Sequence, residues 1–114
     1  MIKFKDLPGG EAYVLAFFPR AGQPIEQVFG ANPKRLLDAA KLLRGTILRH
    51  GDAAVEIPAL EGVPIVYILW TADEFSSSVN VLFDSSACMY LPTEDLAVLT
   101  EITTNRLKNA CQKL

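Results

Sequence analysis

The feature that most constrains the fold is an unbroken apolar run at residues 63–70, Val-Pro-Ile-Val-Tyr-Ile-Leu-Trp. It is rich in β-branched and aromatic side chains and too short for a typical helix, so it predicts the central strand of a sheet. Val79, Val81 and Phe83 alternate with Asn80 and Leu82, which predicts a second strand at 79–83. The two strands would be joined by a loop at 71–78.

Three further strands are predicted at residues 2–7, 13–18 and 53–57. Between the first two lies Leu7-Pro8-Gly9-Gly10, in which proline presets φ and glycine accepts a positive φ. This pattern is typical of a type II turn, and it predicts a hairpin of strands 2–7 and 13–18. Residues 58–62, with a proline and a glycine, are predicted to form another turn.

Two helices are expected at residues 33–44 and 93–112, with one or two further helical turns at 25–29. Asn32 and Thr93 are the predicted N-caps, and Gly45 the predicted end of the first long helix. Glu94 and Asp95 would then lie in a first turn, where the helix dipole favours acids. The sequence predicts one α+β domain over residues 1–114, with a mostly antiparallel sheet of about five strands and helices on one face.

The charges of the chain are unevenly distributed. Residues 50–105 contain nine acids and neither lysine nor arginine, so all eleven basic residues lie outside that stretch. An acidic chain without a clustered basic surface is not expected to bind nucleic acid.

The sequence also contains no membrane or export signal. No apolar run reaches the ~20 residues that a membrane span needs. At the N-terminus apolar and charged residues alternate, so the continuous apolar region of a signal peptide is absent. A cytoplasmic protein without a cofactor is the expectation.

Five carboxylates are the only set that suggests a hard-metal or acid–base site: Asp73, Glu74, Asp84, Glu94 and Asp95. If strands 63–70 and 79–83 pair, Asp73 and Glu74 lie in their connecting loop and Asp84 lies at the far end, roughly 17 Å away. Asp84, followed by two serines, suits an Asx turn. Helix capping and solvation are therefore expected for these acids rather than a shared metal ion.

The remaining reactive side chains are few. His50 is the only histidine, and its separation from Asp52 by one glycine favours a turn over a catalytic dyad. Cys88 and Cys111 form no metal-binding or disulfide pattern. Because Cys88 stands between Ala87 and Met89, a buried and inert thiol is expected there.

Trp70 and Phe75 flank the acidic loop that contains Asp73 and Glu74. If half-exposed, the two rings would anchor a docking patch, whereas burial in the core is the more common state of such rings. The candidate binding residues are Trp70, Asp73, Glu74, Phe75 and Asp84.

Several blocks of the chain resemble one family of domains of unknown function from anaerobic bacteria and archaea. The blocks are Phe4 to Val14, Gly51-Asp52-Ala53, Trp70-Thr71-Ala72-Asp73-Glu74-Phe75, Leu82-Phe83-Asp84-Ser85-Ser86 and Tyr90-Leu91-Pro92-Thr93-Glu94-Asp95-Leu96. Members of that family occur alone or joined to iron–sulfur-cluster modules like those of corrinoid-linked one-carbon metabolism. The resemblance implies no activity for any residue, and it aligns this chain with the second half of a longer domain.

If strands precede residue 2 in the family, their absence would leave strand 2–7 as an open edge that invites pairing with a partner or a second copy. Lys3 and Lys5 are the alternative, since charges on an edge strand discourage such pairing.

The resulting expectation is a non-enzymatic binding or accessory module that docks on a redox or corrinoid/iron–sulfur protein. The alternative is a small carboxylate-dependent enzyme, with or without a divalent metal ion. An enzyme should show a pocket where carboxylates converge, and an accessory module a flat apolar or acidic face.

Overall fold

The computed structural model describes residues 1–73 and 76–114, and side chains at 1–71 and 77–114. Its strands form one antiparallel sheet in the order β1-β5-β4-β3-β2. They are β1 (Ile2–Lys3), β2 (Thr46–Leu48), β3 (Ala53–Leu60), β4 (Val63–Asp73) and β5 (Ser76–Phe83). The apolar run that predicts a central strand does form one, because β4 lies in the middle of the sheet.

The helices of the described residues all pack on one face of this sheet. They are α1 (Gly10–Ala21), α2 (Gln23–Phe29), α3 (Lys34–Leu42) and α4 (Thr93–Gln112), with short 3₁₀ turns at Phe4–Asp6 and Ala87–Met89. Tyr67 of β4 reaches Thr104 of α4, and Phe83 of β5 packs on Phe4 and Phe17. The predicted α+β class with helices on one face is confirmed. No helix among the described residues has the length and apolar character needed to cross a bilayer.

The strand predicted at residues 13–18 is wrong, because this segment belongs to α1. The six residues are all apolar, so alternation along them does not distinguish a strand from a helix. The buried residues of α1 are Gly10, Phe17 and Ala21, which recur at helical spacing, whereas Leu15 is 88% exposed.

The turn predicted at residues 7–10 is present, but it does not close a hairpin. The amide of Gly10 donates to the carbonyl of Leu7 at 2.8 Å, and Gly9 has φ +72°. The chain then enters α1 instead of a strand. A Cβ at Gly10 would collide with the carbonyl of Phe4, so glycine is needed at this second position as well. β1 consists of two residues rather than the predicted 2–7, since Phe4 turns into the core.

The region around α3 differs from the prediction in detail. α3 begins after Pro33, and Asn32 provides no side-chain cap. It ends at Leu42, where Arg44 adopts φ +60° and the amide of Gly45 donates to the carbonyl of Ala40. Strand β2, which sequence reasoning missed, follows at once and pairs with β3.

The three long strands extend beyond their predicted limits. β3 continues through Pro58 to Leu60, so the turn at 58–62 narrows to residues 61 and 62. β4 reaches Asp73 and β5 begins at Ser76, so most of the loop predicted at 71–78 is paired backbone.

Thr93 does not cap α4, contrary to the prediction. The N-cap residue is Pro92, and the hydroxyl of Thr93 donates instead to the carbonyl of Pro8 at 2.6 Å. This bond ties the start of α4 to the turn before α1. The acids Glu94 and Asp95 do lie in the first turn of α4.

The contact with Pro8 makes Thr93 testable. Thr93→Ala should lower the free energy of unfolding by about 1 kcal/mol, because it removes one hydrogen bond. Thr93→Ser should have little effect. Thr93→Asp should destabilise, because its carboxylate would face the Pro8 carbonyl oxygen, whereas a capping role would leave aspartate nearly neutral. Urea unfolding of the three variants distinguishes the two roles, and a silent Thr93→Asp would refute the tether to Pro8.

Candidate functional site

One face of the sheet carries no helix, and we call it the open sheet face. Cross-strand partners point to the same side of a sheet, so the strand register assigns its members. One row crosses all five strands: Lys3, Leu82, Val66, Glu56 and Thr46. The next rows are Asn80, Ile68, Ala54 and Leu48, and then Ser78 and Trp70. Val66 and Ala54 are buried yet lie outside the main core cluster, which agrees with their position on this face.

Trp70 is the largest side chain of the open sheet face. It is 46% exposed, and its indole Nε1 donates to Oδ1 of Asn80 at 2.9 Å. The expectation of core burial is therefore wrong for Trp70, which has the half-exposed state of a docking anchor. Phe75, the second ring of the predicted patch, lies outside the described residues.

Two of the predicted carboxylate residues, Asp73 and Asp84, lie at opposite ends of the β4–β5 hairpin. Asp73 opposes Ser76 at the closed end of the β4–β5 hairpin, whereas Asp84 follows Phe83, which opposes Ile65 near the other end. Eight residues of strand separate positions 76 and 84, or roughly 27 Å. Glu74 lies outside the described residues.

Asp84 forms the Asx turn that the sequence predicts. Its Oδ1 accepts the Ser86 amide at 2.9 Å and the Ser86 hydroxyl at 2.6 Å. The hydroxyl bond, and secondarily the amide bond, hold the pKa of Asp84 below its ordinary value. Both bonds go to one carboxylate oxygen, and they hold the turn that follows β5.

The carboxylate of Asp52 is also hydrogen-bonded to the backbone. It accepts the amide of Thr71 at 2.6 Å, and Gly51 beside Asp52 has φ +57°. The turn predicted at residues 50–52 is thus formed, and Asp52 braces β4 next to Trp70.

Cys88 is exposed, so the expectation of a buried thiol is wrong. It lies in the 3₁₀ turn at Ala87–Met89, where Ala87 takes the buried position instead. Cys111 is the buried cysteine, and its sulfur accepts Nε of Arg35 at 3.3 Å.

A groove of about 310 Å³ lies between α1 and α4. The helices run in the same direction, because Tyr13 meets Glu94 near their starts and Ala21 meets Thr104 further along. α1 contributes Tyr13, Ala16, Phe17 and Arg20 to the lining, and α4 contributes Glu94, Ala97, Val98 and Glu101. The small side chains of Ala16 and Ala97 leave room in the groove, and its lining is mainly apolar.

Polar groups lie at the two ends of this groove, which we call the α1/α4 groove. The hydroxyl of Tyr13 donates to Oε1 of Glu94 at 2.8 Å. That bond, together with the charge of Glu94, raises the pKa of Tyr13, so the phenol stays protonated. At the other end Arg20 and Glu101, both described, do not form an ion pair.

The sequence prediction missed this groove because residues 13–18 were placed in a strand. The available signal was the recurrence of Tyr13, Phe17 and Arg20 at intervals of four and three, which is helical spacing.

No metal centre is evident among the described residues, since no three His, Cys, Asp or Glu side chains converge there. Glu94 and Glu101 are seven residues apart on α4, or about 10.5 Å along the helix axis. The groove therefore holds separated carboxylates rather than a paired acid and base.

Comparison with known proteins places the chain in a family without assigning a function. No curated protein and no protein of solved structure shows significant similarity to it. The model of one family, DUF3786, matches residues 1–106, which is nearly the whole chain. The resemblance to a family of domains of unknown function is thus confirmed at that level, and this chain belongs to the DUF3786 family of domains of unknown function.

Proposed function

We propose that this chain is a non-enzymatic binding module that docks an amphipathic helical segment of a partner protein in the α1/α4 groove. The observation that carries the proposal is the exposed apolar surface at the groove. Of the lining residues, Tyr13 is 43% exposed and Val98 55%, and Ile102, one turn further along α4 from Val98, is 51% exposed. A contiguous apolar surface with a polar rim is typical of a protein-binding site.

The shape of the groove favours a helix as the occupant. Two parallel helices leave an elongated channel between them, and alanines at its centre allow a third helix to approach closely. Helix-in-groove recognition uses apolar anchors spaced along one face of the incoming helix. The residues of α1 and α4 that line the channel span about two helical turns, which provides room for two such anchors.

The charge of the groove region indicates the character of the partner segment. The groove lining contains two acids, Glu94 and Glu101, against one basic residue, Arg20. An acidic rim attracts basic residues and repels acidic ones. The partner segment should therefore carry lysine or arginine beside its apolar anchors.

The class of partner is the finer part of the proposal. The sequence blocks described above resemble proteins that occur with iron–sulfur-cluster modules, which supports a redox or corrinoid/iron–sulfur protein as the partner. The separation of Glu94 from Glu101 and the bond from Tyr13 to Glu94 favour this module over the alternative of a carboxylate-dependent enzyme.

Affinity capture from anaerobically prepared native extract tests both parts. The bait would be the wild-type chain, and mass spectrometry with metal and corrinoid analysis would identify what it retains. Ala16→Trp fills the groove, and Ala31→Trp makes the same change at an exposed loop position. Glu101→Lys reverses a rim charge, and Glu61→Lys is its matched control in the β3–β4 turn.

We expect a specific protein to be retained by the wild type and both controls and to be lost with Ala16→Trp and Glu101→Lys. Equal retention by all five baits would refute docking in the groove. Groove-dependent retention of a protein without an iron–sulfur cluster or corrinoid would refute the partner class alone.

A further inference from the structure

We infer that the open sheet face is the interface of a symmetric homodimer, in which a second copy packs its own open sheet face against it. This inference does not depend on the α1/α4 groove, which lies on the helical side of the molecule. It rests on the pattern of side chains that the strand register places on the open sheet face.

The charged members of the first row are arranged so that the face complements itself. Lys3 lies on the edge strand β1 and Glu56 lies three strands away on β3, with Leu82 and Val66 between them. Consider a two-fold axis that runs parallel to the strands and passes between β4 and β5. Rotation about this axis places Lys3 over the partner's Glu56 and Leu82 over the partner's Val66. Each opposite-charge contact then forms twice in the dimer.

The same axis also matches the shapes of the other rows. Trp70 and Ser78 are cross-strand partners, so the rotation places each Trp70 ring over the small Ser78 of the other copy. Both residues are exposed in the single chain, and the bond to Asn80 holds the indole in place. Ile68 would lie over the partner's Asn80. A large side chain over a small one is the complementarity that close packing requires.

The packing geometry agrees with that of known sheet pairs. A rotation about the strand direction keeps the strands of the two sheets aligned, which is the common arrangement of β-sandwiches with sheets ~10 Å apart. Val66 and Ala54 are already buried, so the hydrophobic part of the stabilisation would come from Trp70 and from the half-buried Leu82, Ile68 and Leu48. The helices of both copies would then face solvent on the outside.

The charge pair gives the inference a specific test. Lys3→Glu and Glu56→Lys each bring two like charges together twice in the dimer, whereas the double variant restores opposite charges. Lys5→Glu and Glu61→Lys are matched controls at exposed positions outside the face. Sedimentation equilibrium over a concentration series would measure the dissociation constant, and circular dichroism would check that each variant is folded.

We expect the wild type to shift from 12.5 kDa to twice that mass as its concentration rises. Each single reversal should weaken the dimer at least roughly tenfold, or about 1.4 kcal/mol, and the double variant should recover most of that loss. The controls should behave as wild type. A chain that stays monomeric at high micromolar concentration, or a dimer that the reversals do not weaken, would overturn the inference. Weakening by both single reversals without recovery in the double variant would also overturn it.

Discussion

Phe83→Ala is expected to lower the free energy of unfolding by about 3–5 kcal/mol. Phe83 is fully buried at the end of β5, and its ring centroid lies 6.2 Å from that of Phe4 and 6.3 Å from that of Phe17. The rings of Phe4 and Phe17 are themselves stacked at 3.9 Å. Truncation of Phe83 would leave a cavity where β5, the 3₁₀ turn at Phe4–Asp6 and α1 meet. A domain of this size has a total stability of about 5–15 kcal/mol, so this loss is a large fraction of it.

Phe18→Ala is the matched control, because it removes the same side chain from α1 at a position that is 39% exposed. It should cost about 1 kcal/mol or less. Urea unfolding followed by the fluorescence of Trp70 and by circular dichroism would measure both variants at one protein concentration. A loss below about 1 kcal/mol for Phe83→Ala would show that the three rings do not form the packed cluster described here.

The sheet was predictable because its strands have distinct patterns. The run at residues 63–70 contains the buried side chains of β4 that face the helices, and the alternation at 79–83 gives the inward face of β5. The last helix was also evident, since its buried positions include Leu96, Leu107 and Ala110 at helical spacing. Its start was correct, but the role of Thr93 was not, because the partner carbonyl of Pro8 is distant in sequence.

The N-terminal region was not predictable to the same degree. The pattern of an apolar segment such as residues 13–18 is compatible with both a strand and a helix, and tertiary contacts determine which one forms. Here the 3₁₀ turn at Phe4–Asp6 and the core position of Phe17 require a helix. β2 was missed because Ile47 fits the apolar face of a longer α3, whereas Arg44 ends that helix with a positive φ.

The predicted binding residues do not include the lining of the α1/α4 groove. Trp70 was predicted to anchor a docking patch only if half-exposed, and burial was the expectation. Its exposure depends on which face of the sheet the helices cover. The alternation of side chains along a strand does not show which face of the sheet the helices cover. The separation of Asp73 from Asp84 was predictable, but its size was underestimated, because β4 and β5 extend into the predicted loop and lengthen the hairpin. The α1/α4 groove was not predictable, since it requires the correct assignment of α1.

The uneven distribution of charge along the sequence is also seen along α4. Glu94 and Glu101 line the groove from the first half of α4, whereas Arg106 lies in its second half and Lys113 directly follows its last residue. The two signs of charge therefore lie at opposite ends of one helix. A partner that docks on the groove meets the acidic end, which is the basis for expecting a basic segment.

A buried hydrogen-bond chain links the sheet to two helices, and it is the basis of the second large effect. The hydroxyl of Thr104 donates to the carbonyl of Ala21 at 2.7 Å, which uses its only proton. The Tyr67 hydroxyl, 2.9 Å away, must therefore donate its own single proton to Thr104, and the carbonyl of Thr100 at 3.5 Å is the more distant acceptor. Both side chains are fully buried. These two hydrogen bonds join β4, α4 and α1.

Burial raises the pKa of Tyr67. Because the pKa is higher in the folded than in the unfolded state, the corresponding stability is present below pH ~10 and is lost as the pH rises above it. The slope should approach about 1.4 kcal/mol per pH unit. Tyr67→Phe should remove most of this slope, and the part that remains would come from Tyr13, whose pKa is also raised.

Thr104→Val is expected to lower the free energy of unfolding at neutral pH by about 2–3 kcal/mol, because it leaves the Tyr67 donor and the Ala21 acceptor buried with poor partners or none. Tyr67→Phe should cost about 1 kcal/mol, since Thr104 keeps its bond to Ala21. In the double variant the buried Tyr67 donor is absent, so the combined loss should be about 1 kcal/mol smaller than the sum of the single losses. Urea unfolding of the four chains at neutral pH would give this coupling energy. Strictly additive losses would mean that Tyr67 does not donate to Thr104, and the link between β4 and α1 through these two hydroxyls would have to be abandoned.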